Sequence, residues 1–290
     1  MFETLKTFVN TWECDENDHL NVQFYFERFE DADRHLRLRT GLDDVATGRR
    51  IARHVRYHRE SRVGDLHQVR SGFFEADKTA LTILHVLEDV GTGSVAATAL
   101  DRYVPHSVEQ ATASLSPSDP DPVDRSAATP RSFLDDAMFT SVTPDEILAA
   151  GGIPTFYGSV KPSECGPDGT MDDRFIIGTM SNAAAHVWEA SPLTREWLDE
   201  TGYGRVAVEM RLVYGRSIGL GTPTHVVSKW LDAGRTVFSF RHFLFDAATD
   251  TCVAVVDSAG LVMNLATRKS VRLPDEFQKA ILDLARTPGR

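Results

Sequence analysis

Two segments of the chain carry apolar residues at the i, i+4, i+7, i+11 spacing of a buried helical face. The first stripe is Tyr25, Phe29, Ala32 and Leu36, and the second is Ile176, Met180, Ala183 and Val187. After each segment come short runs of alternating or β-branched residues, separated by Gly or charged turns. Such runs are typical of antiparallel strands. The pattern therefore predicts one long helix and several strands, in the same order, twice.

The two segments also match each other when the sequence is shifted by 151 positions. Glu13 and Cys14 then fall on Glu164 and Cys165, and His35 falls on His186. Self-similarity of this kind predicts a tandem duplication. A helix that covers one face of a curved antiparallel sheet buries the apolar surfaces of both elements. We therefore predict an α+β fold with two helix-on-sheet repeats, whose sheets can pair edge to edge.

The composition changes between the two repeats. The stretch from Pro105 to Thr129 is rich in Ser, Pro and Asp and has few core-forming residues, which is typical of a linker or surface excursion. Thr143 begins a Thr-Pro-Asp-Glu sequence that predicts a short capped helix, and a last helix is predicted near Pro274–Ala285. The predicted organisation is a first repeat over 1–108, a linker with a short helix over 109–150, and a second repeat over 151–290.

Composition and charge exclude several classes of protein. The chain has 290 residues, of which 42% are hydrophobic and 25% are charged, as in ordinary globular proteins. No apolar run approaches the length of a membrane span, and acids near the N-terminus argue against a secretory signal. Three cysteines without a C-x-x-C pair favour a reducing cytoplasm and argue against a structural zinc site. The net charge of −11 disfavours nucleic acid and anionic membranes as partners.

Polar groups are concentrated directly before the first helix. Asp15, Asn17 and His19 lie within five residues, and Asn21 is predicted to cap the helix. The amides of Val22 to Phe24 would then begin the helix without backbone partners. Such amides, at the positive end of the helix dipole, suit a carbonyl oxygen that is becoming negative. Asp and Asn before a helix are most often caps or turn formers, and for Asp15 alone that would be the better interpretation.

This segment resembles the W-x-x-D-x-N-x-H-V-N-N-x-x-Y motif of hotdog-fold acyl thioesterases. The matching residues are Trp12, Asp15, Asn17, His19, Asn21 and Tyr25. The Asp-x-Asn-x-His part is similar to that of fatty acyl-carrier-protein thioesterases. The acid-Cys-Asp triplet is similar to that of the 4-hydroxybenzoyl-CoA thioesterase group, whose catalytic aspartate aligns with Asp15. Val22 departs from the family pattern, which often has a second Asn there.

The resemblance implies a double hotdog that hydrolyses an acyl thioester, with acyl-CoA preferred to acyl carrier protein as the substrate. It implies Asp15, Asn17 and His19 as catalytic residues and Asn21, Val22 and Tyr25 as substrate contacts. Asp15 would serve as base or as nucleophile, and no cofactor or metal is implied. The second repeat has Gly166, Asp168 and Thr170 in place of the catalytic set, so we expect one site per chain.

Two alternatives remain open from the sequence. A hotdog enoyl-CoA hydratase or dehydratase typically has Asp and His five residues apart, whereas Asp15 and His19 are four apart. A non-catalytic acyl-thioester binding module would retain the motif without turnover. For assembly, the duplication predicts a monomer that is an internal pseudo-dimer, or a homo-oligomer of it.

A basic stretch, Gly48 to Arg62, stands out from the acidic background. As a strand it would place Arg53 and Arg56 on opposite faces. A solvated sheet face is one interpretation. The functional interpretation is that Arg53, Arg56 or Arg59 binds a phosphate of CoA, because guanidinium groups match phosphate geometry.

Overall fold

A computed structural model describes residues 1–42, 47–115, 120–134 and 141–286. The chain divides into two compact units, Met1–Leu134 and Asp135–Arg290. Each unit contains one long helix that packs against an antiparallel sheet. The predicted α+β class and the repeated order of helix and strands are confirmed.

The first unit contains five strands and three described helices. The strands are β1 (Phe2–Phe8), β2 (Arg49–Tyr57), β3 (Leu66–Ala76), β4 (Leu81–Asp89) and β5 (Ser94–Val104). They pair in the order β1-β3-β4-β5-β2, and every pairing is antiparallel. The helices are α1 (Val22–Thr40), α2 (Val108–Leu115) and α3 (Pro122–Ala128).

Helix α1 is positioned by the apolar stripe that predicted it. Tyr25, Phe29, Ala32 and Leu36 are all buried, and α1 packs mainly on β1 and β3. The helix ends at Gly41, whose φ of 68° is the left-handed conformation that glycine adopts without a Cβ penalty. The same element therefore carries the polar cluster at its start and the core contacts along its length.

The stretch expected to be a linker forms α2 and α3, both within the first unit. Ala111 and Leu115 are buried and four positions apart on α2, and Ala128 is buried on α3. A few small apolar residues at helical spacing are enough to dock a short helix. They are diluted by Ser, Pro and Asp in the overall composition, so the composition did not reveal them.

The second unit repeats this architecture. Its strands are β6 (Ile153–Ser159), β7 (Tyr203–Tyr214), β8 (Pro223–Ala233), β9 (Val237–Asp246), β10 (Thr251–Asn264) and β11 (Lys269–Ser270). They pair in the order β7-β10-β9-β8-β6, with β11 on β10. The helices are α4 (Pro144–Ala149), α5 (Asp173–Glu189), α6 (Arg195–Thr201) and α7 (Asp275–Arg286). Strand for strand, β6-β8-β9-β10-β7 reproduces the order of the first unit.

Two predicted helical features are confirmed in the second unit. Thr143 caps α4 in a capping box, in which the Glu146 carboxylate accepts from the Thr143 amide at 2.8 Å. Helix α7 forms close to the predicted range and buries Ile281 in a cluster with β8 residues. Among the helices of the described ranges, none has both the length and the apolar character needed to cross a bilayer.

Candidate active site

The polar cluster before α1 is a closed loop. A 3₁₀ turn over Thr11–Glu13 leads into a β-bridge between Cys14 and Leu20. Inside that bridge, the Asp15 amide donates to the His19 carbonyl at 2.8 Å. The bridge therefore holds Asp15 and His19 opposite each other, directly before the first turn of α1.

The Asp15 carboxylate is half-buried and is held by backbone amides. Its Oδ1 accepts from the amide of Asn17 at 2.9 Å and from that of His19 at 3.4 Å. Burial raises the pKa of Asp15 above its ordinary value, and the charges of Glu16 and Asp18 act in the same direction, while the two amides oppose them. A carboxylate with a raised pKa is a stronger base. Asn17 contributes its backbone amide to this arrangement.

His19 is buried, with 4% of its surface exposed, and its ring lies between two charged side chains. Its Nε2 is 3.3 Å from Glu60 Oε2 and 3.5 Å from Arg62 Nη2. A carboxylate beside an imidazole fixes the orientation of the ring and its tautomer. Glu60 was not among the predicted site residues. Its only signal in the sequence is that it is an acid inside the basic stretch, forty-one positions after His19.

The predicted cap of α1 is confirmed. Asn21 Oδ1 accepts from the Gln23 amide at 3.1 Å, and the Asn21 carbonyl accepts from the Phe24 amide at 3.0 Å. The expectation that the Val22 to Phe24 amides lack backbone partners is corrected for Phe24, and the predicted Asn21 cap accepts from the Gln23 amide. Within the described residues, the Val22 amide makes no hydrogen bond. This amide is the one donor at the helix start that remains for a ligand oxygen.

Tyr25 lies one turn further along the same face of α1 as Val22. It is buried, with 3% exposed, and its ring meets the Tyr57 ring edge-on with centroids 5.1 Å apart. Burial raises the pKa of the Tyr25 hydroxyl, while donors from Ser61 oppose this and the Asp15 charge adds to it. The charge of Asp15 therefore acts on the Tyr25 hydroxyl.

Arg53 and Arg56 do lie on opposite faces of β2, but both are buried. Arg53 is fully buried, and it donates to both oxygens of Asp101 at 2.7 and 2.6 Å. Arg56 donates to the carbonyls of Ala127 and Thr129, among others, at the end of α3. These guanidinium groups hold the unit together and do not face a surface that a phosphate could reach. This corrects the predicted phosphate contact for Arg53 and Arg56.

Arg59 differs from them because 39% of its side chain is exposed. Its Nη1 donates to Asp89 Oδ2 at 2.5 Å, to Thr92 Oγ1 at 2.7 Å and to Ser94 Oγ at 2.8 Å. These contacts fix the position of the guanidinium without burying it. Of the three predicted arginines, Arg59 alone remains a candidate contact for substrate.

Beneath α1, Asp33, His85 and Asp101 bring one potential metal-ligand atom each to within 4.8 Å of the others. The anionic charge there is already balanced by cations. Arg37 Nε donates to Asp33 Oδ2 at 2.7 Å. Arg50 Nη1 lies 3.2 Å from Asp101 Oδ2, and Asp101 is also paired with Arg53. A divalent ion would add uncompensated positive charge to this buried network. The donor set therefore does not fit a metal ion.

The second unit keeps the loop and loses its chemistry. Cys165 and Met171 form the equivalent bridge, but Gly166 stands where Asp15 would be. Thr170, at the position of His19, donates its hydroxyl to Asp168 at 2.8 Å. Asp173, at the position of Val22, accepts from the Tyr214 hydroxyl at 2.6 Å. The start of α5 therefore carries its own carboxylate.

Comparison with known proteins agrees with the duplicated fold. A family model described as the thioesterase-like superfamily matches residues 9–135 and 160–281. No curated protein sequence matches the chain. A protein named as an oleoyl thioesterase, from Lactobacillus plantarum, has a similar structure, with 11% identity, a TM-score of 0.64, and coverage of 93% of this chain and 96% of that chain.

Two further solved structures are similar over most of their length. An acyl-ACP thioesterase from Bacteroides thetaiotaomicron shares 10% identity, with a TM-score of 0.58 over 88% of this chain and 96% of that chain. The 12:0-ACP thioesterase from Umbellularia californica shares 10% identity, with a TM-score of 0.60 over 89% of this chain and 93% of that chain. At such low identity these three structures establish the fold alone, and that fold is the predicted double hotdog. Because the family model covers both repeats, the chain belongs to the thioesterase-like superfamily, whose general reaction, the hydrolysis of an acyl thioester, is the one predicted from the Asp15 motif.

Proposed function

We propose that this chain hydrolyses acyl-CoA to a free acid and CoA at the loop that contains Asp15. One observation carries the proposal: a half-buried carboxylate with a raised pKa lies in a closed loop before a helix whose first amide has no partner among the described residues. The equivalent loop of the second unit has glycine at that position. A base and an oxyanion donor are the two groups that this hydrolysis needs most.

In the proposed reaction, Asp15 takes a proton from a water molecule as the resulting hydroxide attacks the thioester carbon. The carbonyl oxygen becomes negative and accepts the Val22 amide hydrogen, at the positive end of the α1 dipole. The carbon–sulfur bond then breaks, and the sulfur leaves with the proton that Asp15 had taken. The sum is one water and one thioester consumed, and one acid and one thiol formed.

His19 and Asn17 are proposed to hold this arrangement in place. The Glu60 carboxylate at 3.3 Å fixes the His19 ring, which we assign to positioning the attacking water. The Asn17 backbone amide donates to Asp15 Oδ1 at 2.9 Å. The other carboxylate oxygen, Oδ2, is therefore the one that takes the proton from water. Asn21 contributes by capping the helix that offers the Val22 amide.

CoA is preferred to acyl carrier protein because of the charges near the site. Glu16 and Asp18 are exposed within the loop, and like charges disfavour docking of an acidic carrier domain. A phosphate group of CoA needs one accessible cation, and the partly exposed Arg59 supplies it. We also propose a cytoplasmic location, since Cys14, Cys165 and Cys252 are all free thiols.

The test is release of free thiol from a panel of short, medium, long and aryl acyl-CoAs, with acyl carrier protein thioesters in parallel. Release from at least one acyl-CoA supports the proposal. No release from any of them contradicts it. Hydration of crotonyl-CoA without thiol release would indicate the hydratase alternative, and tight binding without turnover would indicate a binding module.

A single turnover in ¹⁸O-labelled water tests the role of Asp15. With a general base, the first product molecule carries one labelled oxygen. An unlabelled first product would mean that an Asp15 oxygen had been transferred through an acyl anhydride cleaved at the Asp15 carbon, and the assignment as a base would be wrong.

A further inference from the structure

Ser61 and His67 form a buried pair directly behind Tyr25. Ser61 Oγ is 3.0 Å from His67 Nε2, and each residue has 1% of its surface exposed. The Ser61 carbonyl accepts from the Leu20 amide at 2.8 Å, which anchors the loop that contains Asp15. Ser61 therefore contacts both the loop that contains Asp15 and the histidine on β3.

The duplicated fold distinguishes polar groups that the architecture needs from those that it does not. One buried hydrogen-bond network of a threonine, a serine and a histidine occurs in both units at equivalent strand positions. In the first unit, both hydrogen bonds of this network are 2.7 Å long, and in the second they are 2.6 and 2.5 Å long. Its members are Thr4, Ser71 and His85, and Thr155, Ser228 and His242. A network retained in both halves serves the fold that both halves share.

The pair behind Tyr25 is not retained. Ile218 takes the place of Ser61, since its carbonyl accepts from the Met171 amide just as Ser61 accepts from Leu20. Thr224 takes the place of His67, because Thr7 pairs with His67 in the first sheet and Gly158 pairs with Thr224 in the second.

Tyr25 is replaced as well, by Ile176 on α5. These losses coincide with the loss of the carboxylate at Gly166. The same helix-on-sheet unit therefore folds without the pair, which indicates that the pair belongs to the reaction.

The hydrogen-bond direction follows from an unsatisfied atom. Within the described residues, His67 Nδ1 is buried without a hydrogen-bond partner. Burial, with the Arg28 charge acting in the same direction, lowers the pKa of His67 to about 4, so the ring is neutral at pH 7. An unpaired buried lone pair is less costly than an unpaired buried N–H. The proton therefore lies on Nε2 and is donated to Ser61 Oγ.

Ser61 Oγ is then held by His67, while the Ser61 carbonyl accepts from the Leu20 amide at 2.8 Å. The hydrogen bond from His67 therefore fixes the residue that anchors the loop containing Asp15.

We propose that His67 is a positioning residue for the hydrolysis, acting through Ser61, whose carbonyl holds the loop that contains Asp15. The inference rests on the proposed function, because it assigns a role in that reaction. His67 itself touches no substrate. Its effect should therefore fall on kcat, with substrate binding unchanged.

The experiment compares His67→Phe with His67→Gln on the best acyl-CoA of the panel. Phenylalanine keeps the ring volume and removes the donor, so kcat should fall about tenfold, the worth of one hydrogen bond, with KM within about twofold. The glutamine amide can occupy the position of Nε2 and donate to Ser61, so His67→Gln should recover most of the lost kcat. Ser61→Ala should match His67→Phe and replaces it if that variant does not fold.

His242→Phe is the matched control, because it removes a buried histidine–serine bond from the unit without Asp15. It should lower the melting temperature and leave kcat unchanged. Full kcat in folded His67→Phe, no recovery in His67→Gln, or an equal loss in His242→Phe would overturn the inference. Failure of both His67→Phe and Ser61→Ala to fold would also overturn it. A wild-type chain that releases no thiol would instead refute the proposed function, and this inference with it.

Discussion

Replacing Asp15 with asparagine separates the chemistry of the loop from its architecture. The amide side chain keeps an Oδ1 that can accept from the Asn17 and His19 amides, which lie at 2.9 and 3.4 Å. It removes the basic oxygen. A positioned general base contributes about 10²- to 10⁴-fold, which corresponds to roughly 3–5.5 kcal/mol of barrier at about 1.4 kcal/mol per tenfold. We therefore expect kcat to fall by at least about a hundredfold.

The Asp15→Asn variant should be at least as stable as the wild-type protein, because folding raises the pKa of Asp15. A carboxyl group whose pKa is raised by folding binds its proton more tightly in the folded state. Ionisation therefore costs stability as pH rises through the unfolded and then the folded pKa. At pH 7 the wild-type protein bears this cost, and the neutral amide avoids it.

Thiol release and a thermal melt of Asp15→Asn together give the measurement, with Glu164→Gln and Asp168→Asn of the second unit as matched controls. Both controls should keep most of the activity, because neither carboxylate occupies the position of Asp15. Residual activity of Asp15→Asn within about tenfold of wild type would refute the assignment of the base. Loss of activity in Glu164→Gln would place the working site in the second unit.

Three further predictions concern the pH dependence of the reaction, Arg59 and the buried ion pairs. The acid limb of kcat/KM should have an apparent pKa above the ordinary value of about 4 for aspartate, with activity lost as pH falls through it, because Asp15 must be ionised; a pH–rate profile that is flat down to pH 4 would contradict this. Arg59→Ala should raise KM for acyl-CoA more than it lowers kcat, and the difference should shrink as salt is added. An unchanged KM would show that Arg59 does not contact the substrate. Asp101 pairs with buried Arg53, and in the second unit Asp257 pairs with buried Arg211 at 2.8 Å. Asp101→Asn and Asp257→Asn should each destabilise the protein by about 3–5 kcal/mol in urea titrations, because each removes the charge of a buried ion pair; a loss below about 1 kcal/mol in either would show that water reaches the pair.

Local patterns predicted the fold well because its main elements are specified locally. The stripe from Tyr25 to Leu36 has the period of the helix that it forms, and Asn21 caps that helix as its residue type suggests. The duplication was visible because helices α1 and α5 must each bury the same kind of stripe. Composition was less informative for Pro105–Thr129, where three buried apolar side chains in a polar stretch are enough to dock two helices.

The candidate site was only partly predictable, since half of it is assembled from distant sequence. Asp15, Asn17 and His19 lie in one loop and could be recognised together. Glu60 and His67 meet that loop only through the pairing of strands, and a single sequence does not show that pairing. The prediction that Arg53 binds a phosphate of CoA failed for the same reason, because its partner, Asp101, lies on the adjacent strand β5.

The second unit shows why one start of a helix is a candidate site and the other is not. Both α1 and α5 begin after the same bridge, so geometry alone does not distinguish them. At α1 the first residue is Val22, whose amide has no hydrogen-bond partner in the part of the chain that the structure describes and whose side chain carries no charge. At α5 the first residue is Asp173, a buried carboxylate that already satisfies the helix dipole and binds the Tyr214 hydroxyl. An oxyanion forming there would meet a fixed negative charge, so the second unit opposes the chemistry that the first supports, even before the absence of a base at Gly166 is considered.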